Sequence, residues 1–175
     1  KVEVKVFEDY VLPNTALADG EIDANFFQHV PYLENMAKEK SLDITWTVKV
    51  HVEPMGVYSN EVTDLKDLKD GAEIAIPNDA SNGARALLLL QSAGLLTLKD
   101  VDEPSKLDIV DNPKNLVITE LDAPQLPRVL EEVDAAIINT NYALEADLNP
   151  LEDALHIESG DSPYANIIAV RTADK

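Results

Sequence analysis

The feature that most constrains this chain is an alternation of strand-like and helix-like segments. Apolar residues stand at every second position in residues 2–6 and again in residues 42–50, a pattern typical of β-strands. Between them, a proline at 13 and a glycine at 20 delimit a short helix, and an apolar stripe in residues 32–37 indicates a second one. This order predicts a unit of the βαβ type.

The alternation continues along the rest of the chain. Strands are predicted at residues 72–76, 117–120, 135–139, 155–158 and 167–171, and helices at residues 64–69, 82–93, 123–133 and 141–147. Strands that alternate with helices favour parallel sheets covered on both faces, which bind ligands beyond the carboxyl ends of their strands. The sequence therefore predicts an α/β fold whose functional residues lie in the loops after the strands.

Two irregular stretches, near residues 53–60 and 158–163, are candidates for crossings between lobes. A chain that leaves one lobe, builds a second and returns to the first gives a discontinuous arrangement with a ligand cleft between the lobes. We therefore predict a first lobe from residues 1–58 and 159–175 and a second from residues 59–158.

Composition excludes several classes of function. The 33 acidic and 14 basic side chains give a formal net charge of -19, which repels nucleic acid and anionic bilayers. The absence of cysteine excludes disulfides, thiolate zinc sites and a cysteine nucleophile. The sequence also lacks the short motifs of serine hydrolases, P-loop NTPases and dinucleotide-binding enzymes. The absence of these motifs disfavours hydrolase, NTPase and dinucleotide chemistry.

One aromatic cluster suits a small apolar ligand. Phe26, Phe27 and Tyr32 lie within seven positions that also include His29. Aromatic rings of this kind bind a thioether as readily as an aliphatic group. Core packing is the alternative, above all for one of the two phenylalanines, and a lone histidine is usually structural or exposed.

Arg85 is one of three arginines, and it is predicted near the start of the helix that follows residues 77–82. The positive end of a helix dipole disfavours a cation, whereas a bound carboxylate gains from backbone N–H groups and from a guanidinium. The alternative is an ion pair with Asp79 or another acid, which the residues alone favour. Arg85 is a candidate for binding a carboxylate.

Three asparagines in predicted loops could bind polar groups. Asn139 and Asn141 flank a transition from strand to helix, where one of them is expected to cap the helix and the other is left for a ligand. Asn166 follows a turn at residues 162–164 and has an ordinary turn role as its alternative.

A metal site is a second hypothesis. His51 and Glu53 lie on the same side of an extended segment, and His29 or His156 could join them. Such a site needs three or four converging ligands, and no paired motif such as H-E-x-x-H is present. A metal-dependent enzyme is therefore kept as an alternative only.

Several strings occur in an order that resembles one known family. The longest is DYVLPNTALADGEIDANFFQHVPYL at residues 9–33. The others are EPMG at 53–56, IPND at 76–79 with Asn82 and with RAL at 85–87, APQLPR at 123–128, NTNYA at 139–143 and DSPYAN at 161–166. Together they resemble the NlpA-type methionine-binding lipoproteins over essentially the whole chain.

The resemblance implies a periplasmic-binding-protein fold of two α/β lobes that holds L-methionine or a methionine derivative in the cleft. It also implies a lipid anchor at the cell envelope and delivery of the ligand to an ABC permease and its ATPase, without bond-making. The contacts that it implies are Phe27, His29 and Tyr32 for the side-chain pocket, Arg85 for the carboxylate, and Asn141 and Asn166 for the α-substituents. Second-choice contacts are Tyr10, Phe26, Asn82, Asn139 and Tyr164.

The sequence also departs from the family pattern at both ends. We find no signal peptide, no lipidation cysteine, no opening strand and helix before Lys1 and no closing helices after Lys175. The expectation is a first lobe truncated at both termini, which meets the membrane only through an anchor absent from this chain. Alternatives within binding proteins are a receptor for another apolar amino acid or a methionine dipeptide, and a surface lipoprotein that uses the fold as a scaffold.

Overall fold

A computed structural model describes all residues, 1–175, and divides the chain into two compact units. The first consists of residues 1–53 and 161–175, and the second of residues 54–160. The expected boundary near residue 58 was too late, because the strand Gly56–Tyr58 pairs inside the second unit and buries Val57 and Tyr58 there.

The elements are numbered in chain order. The α-helices are α1 Leu12–Ala18, α2 Val30–Lys40, α3 Ala80–Ser92 and α4 Thr140–Glu145. The β-strands are β1 Asn25–His29, β2 Ile44–Val52, β3 Gly56–Tyr58, β4 Glu73–Pro77, β5 Thr97–Leu98, β6 Ile109–Asp111, β7 Val117–Leu121, β8 Ala135–Ile138, β9 His156–Ile157 and β10 Ala165–Arg171. Short 3-10 helices cover Leu65–Asp67, Lys106–Asp108, Ala123–Gln125, Arg128–Glu131 and Thr172–Asp174. None of the helices has both the length and the apolar character needed to cross a membrane.

The first unit has a three-stranded sheet in the order β1-β10-β2. The returning strand β10 lies between the other two and is antiparallel to both. The expectation of a parallel sheet was therefore wrong for this unit, because the chain re-enters it in the opposite direction. Leu17, Leu33, Ile44, Ile167 and Ala169 form its apolar core.

Two local predictions in the first unit were wrong. Residues 2–6 belong to no strand, and Val2, Val4 and Val6 are 87%, 80% and 83% exposed. An alternating pattern becomes a strand only where a partner takes up its hydrogen bonds. In contrast, residues 25–29, which were not among the predicted strands, form strand β1, since β10 pairs with it.

The second unit has a five-stranded mixed sheet in the order β7-β4-β8-β3-β9. Strand β4 is parallel to β7 and β8, as the alternation predicts, whereas β3 is antiparallel to β8 and β9. Helix α3 contributes the buried residues Leu87 and Leu90 to a core shared with Ile74, Ile76 and Ile137 of the sheet. The carboxyl ends of β4 and β8 lead directly into α3 and α4.

Helix limits follow the predicted start and stop signals closely. Asp79 caps α3 by accepting a hydrogen bond from the Asn82 backbone N–H at 3.0 Å, and Gly94 follows its end with φ 74°. The helix predicted over residues 123–133 is instead two 3-10 segments. Pro124 and Pro127 cannot donate backbone hydrogen bonds, and they interrupt the segment.

The two ends of the second unit lie side by side. Strand β3 pairs with β9, placing Gly56 opposite Ile157. Just before β3 and just after β9, the Glu158 N–H donates to the Met55 carbonyl at 2.9 Å, and the Met55 N–H donates to the Glu158 carboxylate at 3.2 Å. The chain therefore enters and leaves this unit through adjacent segments.

Candidate functional site

The first unit contains a group of neighbouring rings, here called the aromatic group: Tyr10, Phe27, His29, Tyr32 and Tyr164. Ring centroids are 5.8 Å apart for Tyr10 with Phe27 and for Tyr10 with Tyr32, and 6.1 Å apart for Phe27 with Tyr32. His29 lies 6.2 Å from Tyr32 and 5.0 Å from Tyr164. These separations are typical of tilted and edge-to-face ring contacts. The structure thus brings five of the predicted contacts together.

Strand β1 supplies Phe27 and His29 to this group. The register of β1 against β10 shifts between Phe26 and Gln28, so Phe27 is the residue without a ladder partner. A bulge of this kind bends the strand and changes the direction of its side chains. Nothing in the local sequence indicated this bulge, because it depends on pairing with a strand far along the chain.

His29 combines a structural role with a defined protonation. Its Nδ1 accepts a hydrogen bond from the Tyr32 backbone N–H at 3.2 Å, which caps α2. A nitrogen that accepts carries no proton, so the neutral ring has its proton on Nε2. The Tyr32 hydroxyl donates to the Tyr10 carbonyl at 2.9 Å. The side chains of His29 and Tyr32 are almost fully buried.

Asn166 lies on the central strand of the same sheet. In the ladder it stands opposite His29 of β1 and His51 of β2, and it is 8% exposed. Phe26 is different, because it is 50% exposed and its ring lies 5.5 Å from the ring of His51. The structure places Asn166 beside a member of the aromatic group and places Phe26 with His51.

The second unit contains a group of polar side chains, here called the polar group: Asp79, Asn82, Arg85, Asn139 and Glu158. Asn82 and Arg85 are three positions apart in α3, so they share one helix face. Asp79 directly precedes that helix, Asn139 lies between β8 and α4, and Glu158 directly follows β9. Asp79 and Glu158 were not among the predicted contacts.

Arg85 forms an ion pair with Glu158. Its Nε donates to the two carboxylate oxygens at 3.0 and 3.2 Å, and its Nη2 donates to Oε2 at 2.5 Å. The side chains are 4% and 14% exposed. An ion pair was the arrangement that the residues alone favoured, but the partner is Glu158 rather than Asp79.

Asn82 connects two other members of the polar group, Asp79 and Asn139. Its Nδ2 donates to both carboxylate oxygens of Asp79 at 3.1 Å, and its Oδ1 accepts from Asn139 Nδ2 at 3.3 Å. Burial raises the pKa of Asp79, while hydrogen bonds from Asn82 and Ser81 counter that rise. Asn82 is 2% exposed and Asn139 is 8% exposed.

The two asparagines near α4 do not divide their roles as expected. Asn139 occupies the N-cap position, yet its side chain makes no capping hydrogen bond. Its Oδ1 is buried and has no hydrogen-bond partner. Asn141 is half-buried in the first turn of the helix. Neither amide caps α4, so the expectation of a capping asparagine was wrong.

The residues of the metal hypothesis do not converge. His51 Nε2 lies 2.9 Å from Glu53 Oε1, and His156 Nε2 lies 2.8 Å from Ser92 Oγ in the other unit. His29 uses Nδ1 to cap α2. No group of three or more histidine, aspartate, glutamate or cysteine side chains in the chain is arranged to hold a metal ion.

Comparison with known proteins gives a consistent result. The sequence matches the family model described as NlpA lipoprotein over residues 1–175. It is 49% identical over 99% of its length to the D-methionine-binding lipoprotein MetQ of Salmonella typhi. The chain spans 66% of the length of that relative.

Solved structures give the same result for the fold. A nutrient-binding protein from Burkholderia cenocepacia bound to methionine is 54% identical, with a TM-score of 0.93 over 96% of this chain and 72% of that one. A periplasmic substrate-binding protein of an ABC transporter from Coxiella burnetii is 52% identical, with a TM-score of 0.97 over 98% of this chain and 73% of that one. The fold is therefore that of the periplasmic binding proteins, as the sequence predicted.

Proposed function

Because the chain belongs to the NlpA lipoprotein family, we propose that it is the greater part of a substrate-binding lipoprotein that captures methionine for an ABC importer. The observation that carries the proposal is the likeness to the methionine-bound protein from Burkholderia cenocepacia, which is 54% identical and covers 96% of this chain. The MetQ relative, named for D-methionine, agrees with it.

We propose that the aromatic group recognises the side chain of methionine. Phe27, His29 and Tyr32 are the main contacts, and Tyr10 and Tyr164 contact their rings. Aromatic rings bind a thioether through its polarisable sulfur as well as through its apolar surface. The Nε2–H of His29 adds one hydrogen-bond donor among the rings.

We propose that Arg85 binds the ligand carboxylate and that Asn141 and Asn166 bind the α-substituents. Arg85 supplies a permanent positive charge on a side chain that is 4% exposed, where the local dielectric strengthens a charge-assisted hydrogen bond. Its bonds to Glu158 hold the guanidinium in one orientation. The ligand then meets a positioned cation instead of a mobile one.

The family is one of substrate-binding lipoproteins and not a class of enzymes. We propose accordingly that this protein catalyses no reaction, needs no cofactor, is anchored at the bacterial cell envelope and delivers its ligand to an ABC permease and its ATPase. A net charge of -19 is compatible with a protein partner of basic surface and is unfavourable for nucleic acid.

The direct test is ligand-dependent stability. The protein is partly unfolded, dialysed and refolded to remove carried-over ligand, and its thermal unfolding is followed with L-methionine, D-methionine and a methionine dipeptide. A ligand at a hundredfold excess over its dissociation constant should stabilise the protein by about 2.7 kcal/mol. Norleucine, which lacks the sulfur, is the matched control, and the absence of any shift with the three methionine compounds would contradict the proposal.

The role of Arg85 has its own test. Arg85→Ala should weaken methionine binding by about 2 to 5 kcal/mol, because the ligand carboxylate loses its charged partner. Arg128→Ala, which removes an exposed arginine from the same unit, is the control and should leave the affinity unchanged. Calorimetric titration measures the affinity of both variants. Near-normal affinity of Arg85→Ala would show that another residue binds the ligand carboxylate.

A further inference from the structure

Three side chains of the second unit, the partly buried Asp79 and the buried Asn82 and Asn139, form a hydrogen-bonded chain that runs from Asp79 through Asn82 to Asn139. Asn82 donates twice to the Asp79 carboxylate at 3.1 Å, and Asn139 donates to Asn82 Oδ1 at 3.3 Å. The chain ends at Asn139 Oδ1, a buried acceptor without a hydrogen-bond partner. Such an atom is costly inside a protein unless something donates to it.

Asp79 determines which way both amides point. An ionised carboxylate only accepts hydrogen bonds, so Asn82 must turn its Nδ2 towards Asp79 and its Oδ1 away. That Oδ1 also only accepts, so Asn139 must turn its own Nδ2 towards it. Asn139 therefore presents an oxygen at the far end of the chain, because both carboxylate oxygens of Asp79 accept from Asn82 Nδ2.

The ligand proposed above offers one kind of donor to that oxygen. Near neutral pH the carboxylate and the thioether of methionine only accept hydrogen bonds, which leaves the α-ammonium as the donor. Arg85, proposed for the carboxylate, shares the face of α3 that carries Asn82. Helix α3 thus carries on one face a cation for the ligand carboxylate, Arg85, and the amide that orients Asn139, and a zwitterionic ligand needs both kinds of partner.

We infer that Asn139 Oδ1 accepts a hydrogen bond from the α-ammonium of the bound amino acid, and that Asp79, acting through Asn82, is a positioning residue for it. The inference rests on the proposed function and adds a ligand contact and its orienting carboxylate to it. Asn139, a second-choice contact in the sequence, becomes a primary one.

The test compares methionine with its analogue that lacks the amino group, 4-(methylthio)butanoate. Asn139→Leu keeps the size of the side chain and removes its acceptor. It should weaken methionine binding by roughly 10- to 100-fold, the effect of one hydrogen bond to a charged group, and change binding of the analogue by less than about threefold. Asn78→Leu, at an exposed position in the loop before α3, is the control and should leave both affinities unchanged.

The positioning role is tested by Asp79→Asn. Asparagine also caps helices well, so α3 should keep its start, but the amide chain loses its imposed direction. The ratio of methionine affinity to analogue affinity should fall by about threefold or more, and this effect should disappear in the Asn139→Leu background. Asp64→Asn, at a carboxylate that caps the Leu65–Asp67 segment, is the control and should leave the ratio unchanged.

The outcomes separate the two proposals. Wild-type protein that binds no methionine contradicts the proposed function and, with it, any ligand role for Asn139. Wild-type protein that binds methionine, with an Asn139→Leu variant that keeps its affinity or weakens methionine and the analogue equally, overturns the inference alone. Far-ultraviolet circular dichroism and urea denaturation of each variant show that the fold is intact.

Discussion

The carboxylate of Glu158 neutralises the guanidinium of Arg85 where both side chains are nearly excluded from water. Removing one member of such a pair leaves the other charge without compensation, and that is more costly than removing both. Glu158 also accepts from the Met55 N–H, so it joins α3 to the segment that precedes β3. The pair therefore supports the structure as well as the proposed ligand contact.

Arg85→Gln is expected to lower the free energy of unfolding by about 3 to 5 kcal/mol, since Glu158 remains buried and charged. The double variant Arg85→Gln with Glu158→Gln should show a clearly smaller decrease in the free energy of unfolding. Urea denaturation of the two variants beside the wild type measures the difference. Equal losses would mean that the two charges do not depend on each other.

Because the phenol of Tyr58 is buried, we expect the free energy of unfolding to fall at alkaline pH. Its ring is 1% exposed, and burial, together with the negative charge of Asp153, raises its pKa from 10.0 to about 12. The folded state therefore favours the protonated phenol. This contribution is complete below pH 10 and is lost as the pH rises through about 12.

Urea denaturation between pH 9 and about pH 12 should show a free energy of unfolding that falls above pH 10 in the wild type and falls less in Tyr58→Phe. Because the Tyr58 hydroxyl is buried without a partner, the phenylalanine variant should not be less stable at neutral pH. Tyr10→Phe, at a half-buried ring, is the control. A parallel fall in the wild type and Tyr58→Phe would contradict the role of this ring.

The sequence could predict the kind of residue at the candidate site but not its partners. Acids outnumber bases, so an ion pair for Arg85 was foreseeable, yet Glu158 lies 73 positions away and no local pattern points to it. Likewise, Asn139 was recognised as a polar residue after a strand. Its orientation depends on Asp79, which sequence spacing cannot reveal.

Strand β1 and helix α1 are joined by a buried network of three amides. Asn14 donates to Gln28 Oε1 at 2.8 Å, and its Oδ1 accepts from Asn25 at 2.9 Å and from Gln28 at 2.7 Å. All three side chains are nearly inaccessible to solvent. Since β1 carries Phe27 and His29, this network fixes the strand that supplies two of the five members of the aromatic group.

Asn14→Ala should lower the free energy of unfolding by about 1 to 3 kcal/mol, because it leaves the buried amides of Asn25 and Gln28 without one of their partners. Asn60→Ala, at an exposed asparagine, is the control and is expected to change stability by less than about 0.5 kcal/mol. Urea denaturation provides the values. A neutral Asn14→Ala variant would show that the network does not secure β1.

Elements with their own start and stop signals were predictable, and elements that depend on a distant partner were not. Pro13 and Gly20 delimit α1 within two residues of its observed limits, because proline and glycine act on the local backbone. Residues 2–6 were predicted to form a strand and do not, whereas strand β1 was not predicted. Whether an apolar stretch becomes a strand depends on β10, which is more than a hundred residues away.

For the whole molecule, the excess of acidic side chains opposes the compact state. A net charge of -19 on 175 residues produces self-repulsion that the unfolded chain relieves by expanding. Salt screens charges that are further apart than the Debye length, which is about 8 Å at physiological ionic strength. The two-unit division was foreseeable from the irregular stretches near residues 53–60 and 158–163, whereas its exact limits depended on the pairing of β3.

The melting temperature should therefore rise by a few degrees when sodium chloride is increased from about 20 mM to about 300 mM, where about 1 kcal/mol corresponds to 2–4 °C for a chain of this size. Scanning calorimetry measures the shift. A variant with Asp100→Asn and Asp102→Asn, at two exposed acids, should melt at a higher temperature in low salt and depend less on salt. A melting temperature that falls with salt would contradict dominant repulsion.

Because the chain enters and leaves the second unit through adjacent segments, this unit is suited to exchange as one continuous piece. Residues 54–160 form an uninterrupted stretch whose two ends are already bonded to each other through Met55 and Glu158. A gene segment for these residues can be exchanged with that of a relative without cutting through any strand. Chimaeras built at this joint would carry the polar group over intact, and a comparison of their ligand preferences would assign stereochemical discrimination to one unit or the other.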